Sequence, residues 1–515
     1  MSTARKILSN TAFQIFGKGV TAALSIIVVK LLTSYLGKEG YGQYTTVYEF
    51  LAFFGIIADL GLYTIAVREM SKDEEKIPYI IGNVLGMRTL LVVVTMSLAA
   101  IAAFMIPKYQ GSVIPLGVAI AGAGTILISI NGTISSVLQV HLKMQFATIG
   151  LIVGKIVSVS YMAFAALVMF KGDIKTGFYH LMLAGVIGNL ITLLITYKYT
   201  TQYAPIKYRF DMSFWREVLL RALPYGVALF LNTIYFRVDT ILMSLLLPNE
   251  ITEIVNGEEK LKCMQELCAN GQVGLYGVAM RMTEVMLLIP IYFMNSVLPV
   301  LTRYLREKSE KLQMLLQYTF DFIVTMALPI LVGGYILAYP IIFIISKPEF
   351  MSDLSKNFYG SDIALKLLLF ALVFAFINAM FGILLVAVNQ QMKLLYINGV
   401  CVLFNVITNI IFIPIYGFRG AALTSIACEF FILVATYITI NKYLPLNLRL
   451  NRAFRLLISV TVMGLVIYYL RQPTYDLMEN KNVALLVPIG GVVYFAMLFV
   501  TKAVDKEMID LVRRR

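Results

Sequence analysis

Asn10-Thr-Ala-Phe-Gln-Ile-Phe-Gly-Lys18-Gly-Val-Thr-Ala-Ala-Leu-Ser-Ile-Ile-Val-Val-Lys30-Leu-Leu32 is long and apolar enough to cross a bilayer, yet it carries a lysine at its middle. About 20 mostly apolar residues cross ~30 Å of hydrocarbon. A charge near the bilayer centre costs about 2.5–3.5 kcal/mol, so Lys18 must face protein or water rather than lipid. At 100° per residue, Asn10, Gln14, Lys18, Thr21 and Ser25 fall within ~80° of one another, forming one polar stripe centred on the lysine. Lys30 lies on the opposite face near the outer end and reads as a snorkelling side chain. The stretch contains no Asp or Glu and lacks a small-residue cleavage site, so it reads as a retained helix, not a signal peptide.

The same reading extends along the chain. Of its 515 residues 59% are hydrophobic and 14% charged, with a mean hydropathy of +0.81. Fourteen segments have the length and composition of spans, from 10–32 to 483–501, which predicts an all-α polytopic membrane protein. The loops are too short to hide a soluble catalytic domain. The formal charge of +14 is not a nucleic-acid signature. Most of the basic excess falls in one alternate set of loops and at both termini, which places the termini in the cytoplasm. The terminal Arg513-Arg-Arg515 is also suited to contact anionic lipid headgroups.

Residues 210–224 break the pattern of spans. Asp211 or Ser213 can cap a helix there, Phe214, Val218 and Leu219 share an apolar side, and the only tryptophan, Trp215, suits a membrane interface. This predicts an amphipathic linker helix and four parts: a six-helix lobe over 1–200, the linker over 201–221, a second six-helix lobe over 222–442, and two further spans with a tail over 443–515. Gly42-Gln-Tyr44 and Gly274-Leu-Tyr276 open corresponding spans of the two lobes. An even number of spans per lobe gives both the same orientation, related by a pseudo-two-fold axis along the membrane normal.

Five basic residues lie deep in spans: Lys18, Arg88, Lys155, Arg237 and Arg281. Facing lipid, they would together cost about 12–18 kcal/mol. Five carboxylates share the spans with them, Glu49, Asp59, Asp239, Glu284 and Glu429. Arg281 and Glu284 are one turn apart and can pair. Arg237 and Asp239 are two residues apart and point to different sides. The cations are suited to phosphate oxygens or sugar, and the acids to charge balance or a coupling proton. Networks that only fix helix packing are the alternative. Cys263 and Cys268 share the outer loop 248–274, where oxidation is permitted, and either bond to each other or stand as thiols. Cys401 and Cys428 read as packing residues. His141 and His180 have no partners at ligand spacing, so no metal site is expected.

Several runs carry a family resemblance. Leu36-Gly-Lys-Glu-Gly-Tyr-Gly-Gln-Tyr44, Ala58-Asp-Leu-Gly-Leu62, Val273-Gly-Leu-Tyr-Gly-Val-Ala279 and Asn405-Val-Ile-Thr-Asn-Ile-Ile-Phe-Ile-Pro-Ile-Tyr-Gly-Phe-Arg-Gly-Ala-Ala422 resemble the polysaccharide flippases of the MOP superfamily. The resemblance implies two six-helix bundles around a central cavity that opens alternately to each side. It also implies transfer of polyprenyl-diphosphate-linked oligosaccharide or polysaccharide repeat units from the inner to the outer leaflet of the cytoplasmic membrane. In the related lipid II flippases a basic residue at the middle of the first helix contributes to a cationic cavity, and Lys18 occupies the comparable place. Segments thirteen and fourteen are comparable to two extra helices that border a groove for the lipid tail. The expected partners are the lipid-linked sugar, membrane lipids and polysaccharide assembly proteins. No nucleic acid, no enzymatic activity and no cofactor are expected beyond proton or sodium coupling. A drug or cation antiporter of the multidrug-extrusion group, or a lipid II-type flippase, is the alternative.

Overall fold

The computed structural model describes residues 3–59, 61–71, 73–248, 251–255, 258–262, 268–446 and 451–503. In chain order the elements are α1 (Thr3–Asp59), α2 (Leu62–Met70), α3 (Ile77–Met105), α4 (Ile114–Val140), α5 (Met144–Phe164), α6 (Ile174–Thr200) and α7 (Met212–Leu246). A hairpin follows, β1 (Ile251–Val255) pairing antiparallel with β2 (Glu258–Lys262). Then come α8 (Ala269–Arg306), α9 (Lys311–Ile336), α10 (Ala338–Ile345), α11 (Ser361–Ala387), α12 (Gln391–Tyr416), α13 (Phe418–Asn441), α14 (Asn451–Met478) and α15 (Val483–Val500).

The protein is an all-α polytopic membrane protein. Among the described residues, eleven helical stretches are long and apolar enough to cross a bilayer. One of them, Phe16–Asp59, holds the first two expected spans, and another, Phe454–Val500, holds the last two. Their outward faces are apolar because their solvent is lipid. On α3 the exposed side chains Leu90, Val94, Leu98, Ile101 and Met105 recur at helical spacing, opposite a buried face of Val92, Met96, Ala99 and Ala103.

The boundaries of several expected spans move in the structure. α1 breaks at Gly37, whose φ of 68° is a left-handed value that a glycine adopts without penalty. The second expected span, 44–65, ends at Asp59, because Gly61 at φ 73° turns the chain into the separate helix α2. The stretch expected as a linker is continuous in α7 with the expected seventh span, 222–247, which is not one of those eleven stretches. Trp215 sits within it and is 7% exposed. Its indole packs with Leu62, Met87, Val218 and Ala222 and donates from Nε1 to the Asn83 carbonyl at 3.0 Å. The tryptophan is therefore committed to helix packing, and not to the lipid interface its composition suggested.

The chain divides into two compact units, Met1–Gly274 and Leu275–Arg515, the boundary falling in the first turns of α8. In the first unit α3, α4, α5 and α6 pack in succession, and α1 packs against α3, α4, α5 and α7. The glycines that open the two Gly-x-Tyr motifs, Gly42 and Gly274, meet here. A Cβ on Gly42 would lie 1.8 Å from the Asn270 carbonyl oxygen, and one on Gly274 would lie 2.0 Å from that of Lys38. Only glycine allows the second arm of α1 and the start of α8 to approach backbone to backbone.

α7 is held at both ends. Asp211 caps its start by accepting from the Ser213 and Phe214 amides at 3.0 and 3.2 Å, and accepts the Tyr79 hydroxyl. At its other end Lys108 donates to the Leu245 and Leu247 carbonyls, and Tyr109 hydrogen-bonds Ser244 at 2.7 Å. In the second unit α9 packs on α11 and α14, α13 on α11 and α12, and α14 on α15. Leu456, Met463, Ile467, Leu486 and Tyr494 form the core of the last of these contacts.

Candidate functional site

Lys18 lies in the first arm of α1 and is exposed. The hydroxyls on its stripe fold back onto their own helix, Thr21 donating to the Lys18 carbonyl at 3.0 Å and Ser25 to that of Thr21 at 2.8 Å. The ammonium forms no ion pair with any described residue. Gly17 beside it lets α5 come close, since a Cβ there would lie 2.2 Å from a methyl carbon of Thr148.

The deep arginines, in contrast, are each spent on an acid. Arg237 on α7 donates from Nη1 to Glu49 on α1 at 2.6 Å. The Glu49 side chain is 0% exposed and that of Arg237 24%. Arg88 on α3 pairs with Asp59 at the end of α1 and donates to Thr133 on α4 at 3.1 Å. Arg281 pairs with Glu284 at 2.8 Å, one turn along α8, both side chains about a third exposed. Sequence spacing foresees only that last pair. Arg88–Asp59 and Arg237–Glu49 join helices whose mutual rotation no linear pattern contains.

The other expected residues are dispersed. Lys155 is half-buried on α5 and Asp239 is buried on α7. Glu429 on α13 is buried and accepts from Asn378 Nδ2 on α11 at 2.7 Å, the same nitrogen also donating to the Glu429 carbonyl at 2.9 Å. Nearby in sequence order, Asn405 and Asn409 of α12 are both fully buried and bonded to each other at 3.1 Å. Cys268 is buried and disulfide-bonded, and Cys263 lies outside the described residues. Cys401 and Cys428 are buried thiols. His141 bonds the Val137 carbonyl and His180 the Tyr161 hydroxyl, and no group of three or more metal-ligating side chains occurs among the described residues.

One further ion pair joins residues that the sequence did not single out. Asp321 on α9 is buried and accepts from Arg452 of α14 at 2.8 Å and from Gln317 at 2.8 Å, with the Arg452 guanidinium 5.4 Å from the Tyr318 ring. The available signal was a carboxylate three residues into the expected span 319–345, a position easily taken for its solvated end.

The first unit also contains a cavity of about 380 Å³ between the second arm of α1 and helices α3, α4 and α6. Asp59 and Arg88 form part of its wall.

Residues 7–305 match the family described as polysaccharide biosynthesis protein. The chain belongs to that family. Its fold resembles those of solved MOP superfamily transporters. A lipid II flippase MurJ in an inward closed conformation superposes with a TM-score of 0.69 at 15% identity, covering 96% of this chain and 98% of the other. An inward-facing multidrug resistance MATE transporter of the MOP superfamily gives 0.61 at 15% identity, over 82% and 95%. A MOP superfamily transporter from Pyrococcus furiosus, described as having a binding pocket of reversed polarity, gives 0.55 at 16% identity, over 85% and 95%. No curated protein matches the chain significantly in sequence.

Proposed function

We propose that this protein is a flippase carrying polyprenyl-diphosphate-linked oligosaccharide or polysaccharide repeat units from the inner to the outer leaflet of the cytoplasmic membrane by alternating access. Its termini lie in the cytoplasm, following the basic excess there. One observation carries the choice of an anionic cargo. Lys18 is a mid-span cation with no acid in residues 10–32 and no ion pair with any described residue, whereas Arg88, Arg237 and Arg281 are each matched by a carboxylate. An unmatched ammonium on a polar stripe is suited to a diphosphate. Lys18 binds the diphosphate; Arg237, Arg281 and Lys155 contribute secondary contacts; Glu49, Asp239, Glu284 and Glu429 balance charge or carry a coupling proton or sodium ion. The cargo is moved without bond-making chemistry. The lipid-linked sugar, membrane lipids and polysaccharide assembly proteins are the expected partners.

The test is transport of a polyprenyl-diphosphate-linked oligosaccharide in proteoliposomes. Lys18→Ala should abolish transfer without loss of folded protein, and Lys18→Arg should retain part of it. Normal transfer by a folded Lys18→Ala protein overturns the assignment. The likeness to multidrug transporters favours one rival, a cation-coupled drug antiporter. Cation-dependent dye efflux by the reconstituted protein, with no transfer of lipid-linked sugar, would establish it. Transfer of a lipid II-type cargo alone would narrow the substrate to cell-wall precursors.

A further inference from the structure

The cavity in the first unit is not accounted for by a site for diphosphate. Its polar wall consists of Tyr48 and Asp59 from α1, Arg88 from α3, Thr125 and Ser129 from α4, and Asn189 from α6, and the remainder is apolar or glycine. About 380 Å³ lies within the range of small-molecule pockets, which are mostly apolar with a few placed polar groups. The space is kept open by small residues. A Cβ on Gly185 would come within 3.0 Å of the Tyr48 hydroxyl, and one on Gly124 within 3.3 Å of the Asn189 amide nitrogen.

The charges in this wall cancel. Asp59 and Arg88 are paired to each other, so a phosphate would have to displace the carboxylate and a metal or ammonium ion the guanidinium. An acyl chain would leave both charges and four further polar side chains without water. A neutral molecule that both donates and accepts hydrogen bonds has no such conflict. The carboxylate retains free lone pairs, and the Arg88 Nε makes no hydrogen bond. Thr125 already donates to the Ala121 carbonyl at 3.3 Å, so its oxygen remains an acceptor. Asn189 uses one N–H on the Gly124 carbonyl at 3.3 Å and keeps its oxygen and second N–H. Ser129 and Tyr48 add hydroxyls, and the Tyr48 ring lies 4.8 Å from that of Tyr44. Donors and acceptors together in a wall that includes an aromatic ring match the hydroxyl-rich edges and apolar faces of a pyranose.

We propose, with the flippase reading supplying only the source of the sugar, that this cavity binds a neutral sugar residue. Arg88 and Asp59 are then sugar-binding residues, with Asn189 and Ser129 as the polar groups that orient the ring, and the diphosphate is left to Lys18.

Protection of an introduced thiol tests this with the full-length protein in nanodiscs. Ser129→Cys places a reactive thiol in the wall, against a background in which Cys401 and Cys428 are buried and Cys268 is disulfide-bonded. Glucose, galactose, N-acetylglucosamine and N-acetylgalactosamine are tried separately, with inorganic pyrophosphate as the anionic control. A bound sugar at about twice its Kd should slow alkylation about threefold. The protection should vanish when Asn189→Leu is added, and pyrophosphate should give none. Thr125→Cys serves as the reporter if Ser129→Cys does not fold. The proposal is overturned if no neutral sugar protects, if pyrophosphate protects equally, or if protection survives Asn189→Leu. Transfer assays on the wild type separate the two readings. Transfer of lipid-linked sugar without protection removes the cavity site alone. Protection without transfer removes the flippase reading and leaves the sugar site standing.

Discussion

The Glu49–Arg237 pair gives the sharpest quantitative test, because its two members differ in their access to water. The carboxylate is 0% exposed and the guanidinium 24%, with 2.6 Å between the bonded atoms. At an effective dielectric of about 20, charges at that distance attract by about 6 kcal/mol. Desolvation costs several kcal/mol per ion, so the intact pair contributes little net stability. Breaking it is different. Arg237→Leu removes the guanidinium from an enclosed Glu49, which costs about 3–5 kcal/mol. Glu49→Gln leaves a guanidinium that already reaches water and costs about 1–3 kcal/mol. The double substitution removes both charges and should recover most of the loss. Thermal unfolding of the four proteins in one detergent reads this order. At about 2–4 °C per kcal/mol for a domain of 150–250 residues, Arg237→Leu should lower Tm by roughly 6–20 °C. Equal losses for the two single variants, or a double variant that merely adds them, would refute the reasoning.

Four further outcomes follow from the structure. Gly42→Leu forces a side chain into the Asn270 carbonyl and should prevent accumulation of folded protein, which expression with size-exclusion chromatography checks. Trp215→Ala removes a packed indole and its hydrogen bond to Asn83 and should cost about 3–5 kcal/mol; a Tm within 2 °C of wild type would count against the packing role. Arg452→Ala leaves buried Asp321 without its guanidinium and should loosen α14 from α9, visible as faster amide exchange in α14 and unchanged exchange in α3. The Tyr79 hydroxyl, followed by the Phe214 and Ser213 amides, holds the Asp211 carboxyl below its usual range. A depressed carboxylate contributes stability that is present above its unfolded pKa and is lost as pH falls through the folded value. The gap in Tm between wild type and Asp211→Asn should therefore close below about pH 4 and persist at pH 7.

Much of the architecture was legible in the linear chain because lipid imposes a simple rule. Every span must be apolar over ~20 residues and satisfy its backbone internally, so composition alone marks where helices run. The ends were less legible, since Gly37 and Gly61 act through left-handed backbone that hydropathy does not register. Trp215 shows the same limit for a side chain. Its type suits an interface, and only the approach of α2 and α3 buries it.

For the site, the sequence by itself determined which charges had to avoid lipid, and that residues 10–32 around Lys18 contain no acid. Helical spacing also sufficed for Arg281–Glu284, because both partners share one helix. Which acid meets Arg88 or Arg237 depends on how helices separated by dozens of residues are rotated about their axes, and Arg452–Asp321 spans 131 positions. Tertiary packing decided those pairs, and with them the distinction between a lysine with no ion pair among the described residues and arginines already neutralised. It also decided the cavity beside Asp59, for Tyr48, Ser129 and Asn189 form a wall only where α1, α4 and α6 converge.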